Sequence, residues 1–302
     1  MIDLAGFGVH WGDDVTVQFA GSDSLAQPVR FEMADNADVP VRRSWKRTEG
    51  THIRVASLNT LNEGLADPER APAIGRMLRA VEADVYCFQE EKNSTNLERT
   101  LSTLLPGDGK LNFHRSDDCV IATRESLKPI MVKSSYFAVG VVRMPGKPPV
   151  IVVSAHLKCC GFIGSSADER RITQTETMLK TVETARRQGK SSVPVIIAGD
   201  YNLVGSRTPV DILEGAGFRD WLLPHLIGES VITWRDEESS FPRGRLDLVT
   251  YTPEGLVARN GFVLDTAELN EEECRRLGVE AGDSLVSDHL LLVADFGIDG
   301  AQ

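Results

Sequence analysis

Val195-Ile196-Ile197-Ala198-Gly199-Asp200-Tyr201-Asn202 is an apolar run that stops abruptly at a glycine, an acid and an amide. A short apolar run rich in branched residues has the character of a buried strand. Polar residues at its end belong where the chain leaves a sheet and loops carry function. The same pattern recurs on both sides. His52-Ile53-Arg54-Val55-Ala56-Ser57-Leu58 gives way to Asn59, and Asp84-Val85-Tyr86-Cys87-Phe88 to Gln89-Glu90-Glu91. Val150 to Ala155 runs into His156, Leu246 to Tyr251 carries Asp247, and Leu290 to Phe296 is preceded by Ser287-Asp288-His289. Val120 to Thr123 and Tyr136 to Val142 read as two further strands. Between the strands, Pro68 to Ala83 reads as a helix with Ile74, Met77, Leu78 and Val81 at helical spacing, and Asp168 to Arg187 as a longer one. Such alternation predicts an α/β or layered α+β domain.

Taken singly, these polar residues have plain readings. Asn59 suits a turn or a helix cap, Glu90 a solvated loop, His156 a core histidine, and Asp200 with Asn202 an Asx turn. Together they carry more weight, because strand ends on one side of a sheet converge. Glu90 and Asp288, with the neutral oxygen of Asn59, suit a hard cation such as Mg²⁺ or Mn²⁺. Zinc is disfavoured without a thiolate or a cluster of imidazoles. A divalent ion polarises a phosphoryl oxygen while water attacks in line. His289 is the candidate base for that water, since an imidazole titrates near neutral pH.

Composition sets outer bounds. The 302 residues are 41% hydrophobic and 25% charged, ordinary for a globular protein. The formal net charge of −11 disfavours a general nucleic-acid binder, which presents a basic surface to phosphates. The compact basic run Arg42-Arg43-Ser44-Trp45-Lys46-Arg47 could touch an anionic substrate, but reads first as a solvated junction. Residues 1–48 read as a β-rich extension with strand-like alternation over 15–20 and 28–33, leaving 49–302 as the main domain. The five cysteines have no zinc-ligand spacing; the adjacent pair Cys159-Cys160 reads as two small residues at a strand end or as a redox pair. No apolar run has transmembrane length, and the start lacks the order of a signal peptide. The expected location is therefore the cytoplasm, with an export signal further upstream also compatible.

The stretches Leu58-Asn59, Phe88-Gln89-Glu90, Ala155-His156-Leu157, Gly199-Asp200-Tyr201-Asn202, Arg245-Leu246-Asp247-Leu248-Val249 and Ser287-Asp288-His289 resemble, in order, the motifs of the endonuclease/exonuclease/phosphatase (DNase I-like) superfamily. The resemblance covers roughly residues 51–297. It implies a four-layer sandwich, two packed mixed β-sheets flanked by helices, and one or two Mg²⁺ or Mn²⁺ ions, with Ca²⁺ also compatible. It implies that Glu90 is the principal metal ligand with Asn59 beside it and Asp288 contributing directly or through water. Asp200 and Asn202 would position the attacking water or the phosphoryl group, His156 would donate to the phosphate, and Asp247 would hold the His289 tautomer. Arg170 or Arg171, followed by Gln174, falls where family members place supporting residues on a helix, and Arg170 and Lys158 are candidates for substrate binding. Two departures stand out: Leu61 occupies a position where many nucleases carry an acid or amide, and Tyr201 replaces the commoner Phe.

The resulting expectation is a metal-dependent hydrolase of small or lipid-linked phosphoesters, a phosphodiesterase or phosphatase. A DNA or RNA nuclease with the same chemistry is the alternative, and a non-catalytic binding module on the same fold a third reading. Oligomeric state is left open by the sequence.

Overall fold

The computed structural model describes residues 41–92, 96–105, 107–132, 136–187, 193–236, 238–239 and 241–298. The strands expected over 15–20 and 28–33 lie outside the described residues. In chain order the elements are β1 Ile53–Asn59, α1 Ala71–Val81, β2 Val85–Gln89, α2 Leu97–Leu104, β3 Asn112–Ser116, β4 Cys119–Thr123, β5 Ser126–Ile130 and β6 Phe137–Arg143. They continue with β7 Val150–His156, α3 Ser166–Arg187, β8 Val195–Asp200, α4 Thr208–Gly215, β9 Arg219–Trp221, β10 Asp247–Tyr251, β11 Leu256–Leu264, α5 Glu271–Leu277 and β12 Leu291–Ile298.

The strands form two six-stranded mixed sheets, ordered β11-β12-β1-β2-β4-β3 and β5-β6-β7-β8-β10-β9. Each sheet has its one parallel pair at its centre, β1 with β2 and β7 with β8. Both faces of these central strands are covered, so they read as unbroken apolar runs rather than alternating ones. Residues of alternate parity divide between two cores. Ile53, Val55, Val85, Cys87 and Ile121 of the first sheet meet Ala138, Val150, Val152, Ile196 and Val249 of the second. On the outer face of the first sheet, Ala56, Leu58, Tyr86 and Phe88 pack against Ile74, Met77, Leu78, Leu101 and Cys274 of α1, α2 and α5. On the outer face of the second, Ile151, Val153 and Ile197 pack against Met178, Val182, Val210 and Leu213 of α3 and α4. The order helix, sheet, sheet, helix is the four-layer sandwich expected from the sequence.

The helices begin and end where local chemistry dictates. Pro72 stands in the first turn of α1, where its missing N–H costs nothing, and Glu82 closes the helix in a left-handed conformation. Asn270 and Glu273 form a reciprocal capping box on α5, which ends at left-handed Gly278. On α3 the inward residues Asp168, Arg171, Gln174, Thr175, Met178 and Val182 recur at helical spacing, but the first four of the six are polar. The amino-terminal half of α3 thus faces a polar loop rather than a core. Among the described residues no helix is long and apolar enough to cross a membrane.

The basic run 42–47 is not a free linker. Arg42 pairs with Glu273, Arg43 with Glu229 and Arg47 with Asp84. Trp45 packs against the first outer core beneath the Arg276 guanidinium, 4.9 Å from the ring centre. Its carbonyl accepts from buried Arg54, which also donates to Val81 O and forms a two-pronged pair with Asp295 at 2.6 and 2.7 Å.

Candidate active site

Sheet register explains why residues far apart in sequence stand together. β1 and β2 run parallel with Asn59 opposite Gln89, so Asn59 and Glu90 leave the first sheet side by side. In the second sheet His156 lies opposite Asp200, and Asp200 opposite Asp247, placing all three in one row across β7, β8 and β10. The fourth group arrives from the segment before β12. Ser287 Oγ donates to Asn59 O at 2.8 Å and accepts from His289 N, pinning Asp288 and His289 to the end of β1.

Asp200 is the hub. Its Oδ2 accepts from Asn59 Nδ2 at 3.2 Å and Asn202 Nδ2 at 2.8 Å, and lies 3.7 Å from both His156 Nε2 and His289 Nε2. Each imidazole is held from behind by a carboxylate on its other nitrogen. His289 Nδ1 donates to Asp247 Oδ2 at 2.8 Å, and His156 Nδ1 to Asp118 Oδ2 at 2.9 Å. Both rings thereby turn Nε2 inward. Asn202 also donates to Leu157 O, fixing the start of the loop after His156.

Backbone strain accumulates at this edge. Glu90 and Asn202 sit at φ 68° and 49°, and Leu61, Asn62 and Glu63 form a left-handed run at 53°, 47° and 62°. Such residues persist only where surroundings enforce them. Here buried Glu91 accepts from Thr60 Oγ1 at 2.6 Å and Leu65 N at 2.9 Å, while Arg70 donates to the carbonyls of Thr60, Leu61 and Asn62. Gly199 has no alternative residue. At φ +150° a Cβ there would stand 2.0 Å from Ala155 O on the neighbouring strand.

Two residues of the constellation were absent from the sequence reading. Asp118 follows Asp117 at the turn between β3 and β4, and an acid pair there reads as turn chemistry. Trp234 donates its indole N–H to Asp288 Oδ2 at 2.9 Å and bridges to His289, but nothing in its local sequence marks it. Thr233 beside it accepts from Leu246 N and Asp247 N, setting the start of β10. The motif Arg245-Leu246-Asp247 could have led there, since the strand entrance must be held by something.

Two of the expected residues, Asn59 and Arg170, are held as follows. Asn59 Nδ2 donates to Glu90 Oε1 at 3.1 Å and to Asp200, while Oδ1 accepts from Leu61 N at 3.0 Å. The amide thus bridges two carboxylates. Arg170 is exposed on α3, and the supporting arginine is Arg171, which is fully buried and donates to Lys158 O and Cys160 O at 2.8 Å each. Gln174 accepts from Lys158 N at 2.8 Å, also in support. The Lys158 side chain is exposed, with Nζ 3.5 Å from Cys159 Sγ rather than among the convergent groups.

The family described as "Endonuclease/Exonuclease/phosphatase family" matches residues 56–289, which spans every convergent group above. The chain belongs to this family. Among solved structures, ANGEL2, described as a 2',3'-cyclic phosphatase, is similar at TM-score 0.58 and 16% identity, covering 85% of this chain and 98% of its own. The human Nocturnin catalytic domain with bound sulfate aligns at TM-score 0.54 and 18% identity, covering 82% and 93%. D. rerio TDP2 complexed with single-strand DNA product aligns at 0.53 and 18%, covering 81% and 98%. At these identities the likeness establishes the fold. No curated protein matches the sequence. Members of the endonuclease/exonuclease/phosphatase family are hydrolases of phosphoesters, and this chain is a hydrolase of that family.

Electrostatics within the family's site follow from its crowding. Burial works against charging His289, but Asp247 and Asp200, together with the Asp247 hydrogen bond, carry its pKa up to about 10. Burial likewise opposes His156, yet the Asp118 hydrogen bond and the Asp200 charge lift it to about 9. Asp200 moves up to about 6, first through burial, with the neighbouring Asp247 charge adding to the rise against the two histidines. Near neutrality two charged imidazoles thus flank one carboxylate.

Whether a divalent cation fits can be judged from the donors. Asp288 Oδ1 is buried and has no hydrogen-bond partner among the described residues, although its Oδ2 is tied to Trp234. Glu90 is half-buried and presents both oxygens, each bound by a single N–H. Carboxylate oxygens without a full set of donors suit a hard cation. The ligand atoms of Asp200, Asp247 and His289 also lie within 4.8 Å of one another, but the His289–Asp247 hydrogen bond already engages two of them. A second such group, His225, Asp265 and Glu268, is structural: both His225 nitrogens are hydrogen-bonded, to Glu268 and Ile232 O, and Asp265 pairs with Arg235.

Proposed function

We propose that the chain is a divalent-metal-dependent hydrolase of small or lipid-linked phosphoesters, a phosphodiesterase or phosphatase. The observation that carries this reading is the convergence of two carboxylate-backed imidazoles, His156 and His289, on Asp200 Oδ2 at 3.7 Å. Glu90 and Asp288 would hold Mg²⁺ or Mn²⁺, which when bound would polarise a phosphoryl oxygen and offset charge on the leaving oxygen. Asn59, bonded to both, positions Glu90 relative to Asp200.

His289, its Nδ1–H committed to Asp247, has only Nε2 with which to take a proton from water. With Asp247, Asp200 and Asp288 facing it, that nitrogen keeps its own proton near neutrality. Base catalysis by His289 therefore belongs to the state in which positive charge is held on the neighbouring carboxylates. Asp200, raised to about 6, is still a carboxylate near neutrality and can accept from the water to orient it. His156 donates Nε2–H to a phosphoryl oxygen, and its charge lets it stabilise the extra negative charge of the transition state.

Against the nuclease alternative, Arg42, Arg43 and Arg47 of its compact basic candidate are paired with Glu273, Glu229 and Asp84. The test uses chromogenic phosphodiesters and monoesters with Mg²⁺ or Mn²⁺, repeated with EDTA and with His289→Ala. Chelation should abolish turnover, and the substitution should lower kcat by about 10²- to 10⁴-fold. Equal rates under all three conditions would sink the hydrolase reading.

A further inference from the structure

Cys159 and Cys160 take no part in the chemistry above, yet they lie on the loop that leaves β7 directly after His156 and Leu157. The other three cysteines are buried, whereas Cys159 is half-buried and Cys160 exposed. The loop is built to hold this pair. Arg171 clamps the carbonyls on either side of Cys159, those of Lys158 and Cys160, at 2.8 Å each. Cys160 and Gly161 then follow at φ 68° and 82°, a left-handed conformation that costs a cysteine energy. The result is an Sγ–Sγ separation of 2.9 Å, well inside the contact distance of two non-bonded sulfurs. Lys158 Nζ lies 3.5 Å from Cys159 Sγ, so that sulfur faces both an ammonium and the Cys160 thiol.

We infer that Cys159 and Cys160 form a dithiol modification site, which low-molecular-weight disulfides oxidise reversibly to a bond between the two neighbours. Cys159 as thiolate attacks one sulfur of the small disulfide and expels the other as a thiolate. Cys160, after losing its proton, attacks the Cys159 sulfur of the mixed disulfide; the Cys159–Cys160 bond forms and the second small thiolate leaves. Two protein thiols are oxidised, one small disulfide is reduced to two thiols, and the cysteine protons pass to the leaving thiolates. The order of attack follows from the geometry. Cys160 donates to Cys159 Sγ, and that hydrogen bond, with burial adding to it, raises the Cys160 pKa. To close, the sulfurs need approach by only about 0.9 Å to reach bonding distance. Adjacent Cα atoms stand about 3.8 Å apart, short of the usual disulfide span, so the product is readily reduced.

The test needs no catalytic assay and is independent of the hydrolase reading. The full chain is incubated with oxidised glutathione, quenched in acid, alkylated without reductant and digested. The peptide bearing both residues should lose two hydrogens and escape alkylation, and dithiothreitol should restore two alkylatable thiols. Cys160→Ser should trap the glutathione adduct on Cys159. A glutathione adduct that persists on either cysteine of the parent chain, or full alkylation of both after incubation, overturns the inference.

Discussion

Asp118 and His156 are shifted in opposite senses by one hydrogen bond. Asp118 is lowered because the His156 bond and charge outweigh its burial, while His156 is raised to about 9. The sign of its effect on stability follows. His156 titrates higher in the folded protein than its ordinary value of about 6.5, so its pairing stabilises fully below about pH 6.5 and is lost as pH rises through about 9. In metal-free protein, Asp118→Asn should cost about 1.5–3 kcal/mol near pH 6, the usual worth of a hydrogen bond to a charged group. Urea unfolding of both proteins at several pH values checks this: the gap should narrow between pH 7 and above 9, and a constant gap would refute the pairing. Asp118 also shows where a sequence stops being legible. His289 and Asp247 could be paired from the resemblance, but the second carboxylate–imidazole pair depends on β4 bringing a turn residue beside β7, which no local pattern announces.

The strands that escaped the sequence reading have a common position. Strands β11, β3, β5 and β9 are the four edges of the two sheets, and none was expected, whereas all eight interior strands were. Interior strands have apolar neighbours on both faces and are therefore mostly apolar. Edges need not be. β5 carries Pro129, tolerable only where a ladder is open on one side, and its residues are largely exposed. β9 is three residues long, and β11 contains an Asn260-Gly261 step, a turn signal, beside a register shift at Ala258/Asn260. The interior is stitched in its own way by Arg54 of β1 and Asp295 of β12, both nearly fully buried. Removing one partner of such a pair leaves a buried charge, so Asp295→Ala should cost about 3–5 kcal/mol. Arg54→Met combined with Asp295→Leu should recover much of it. Urea midpoints decide: a double variant no more stable than Asp295→Ala would mean that the bonds from Arg54 to Trp45 O and Val81 O, not the ion pair, hold this corner.

At the scale of the molecule, the fold and the substrate stand on different footings. Two central parallel pairs create the strand-end edge on which Asn59, Glu90, His156 and Asp200 meet, and that edge was legible because each strand stops at a polar residue. Substrate choice is set by loops around a shared site, and here charge is the discriminating quantity. A net charge of −11 repels a polyanion on average, and gripping a nucleic acid would require local cations that release counterions from phosphates. The basic run 42–47 does not supply them as a group, since three of its arginines are bound to acids and Trp45 is turned into the core. A single phosphoester needs only the site itself. The expected outcome is therefore turnover of small phosphoesters with no salt-sensitive retention of oligonucleotides. Fluorescence anisotropy with a labelled single strand and a labelled duplex, titrated from low to physiological salt, measures it directly. Micromolar affinity at low salt that falls steeply as salt rises would instead establish a cationic surface and return the nuclease reading to first place.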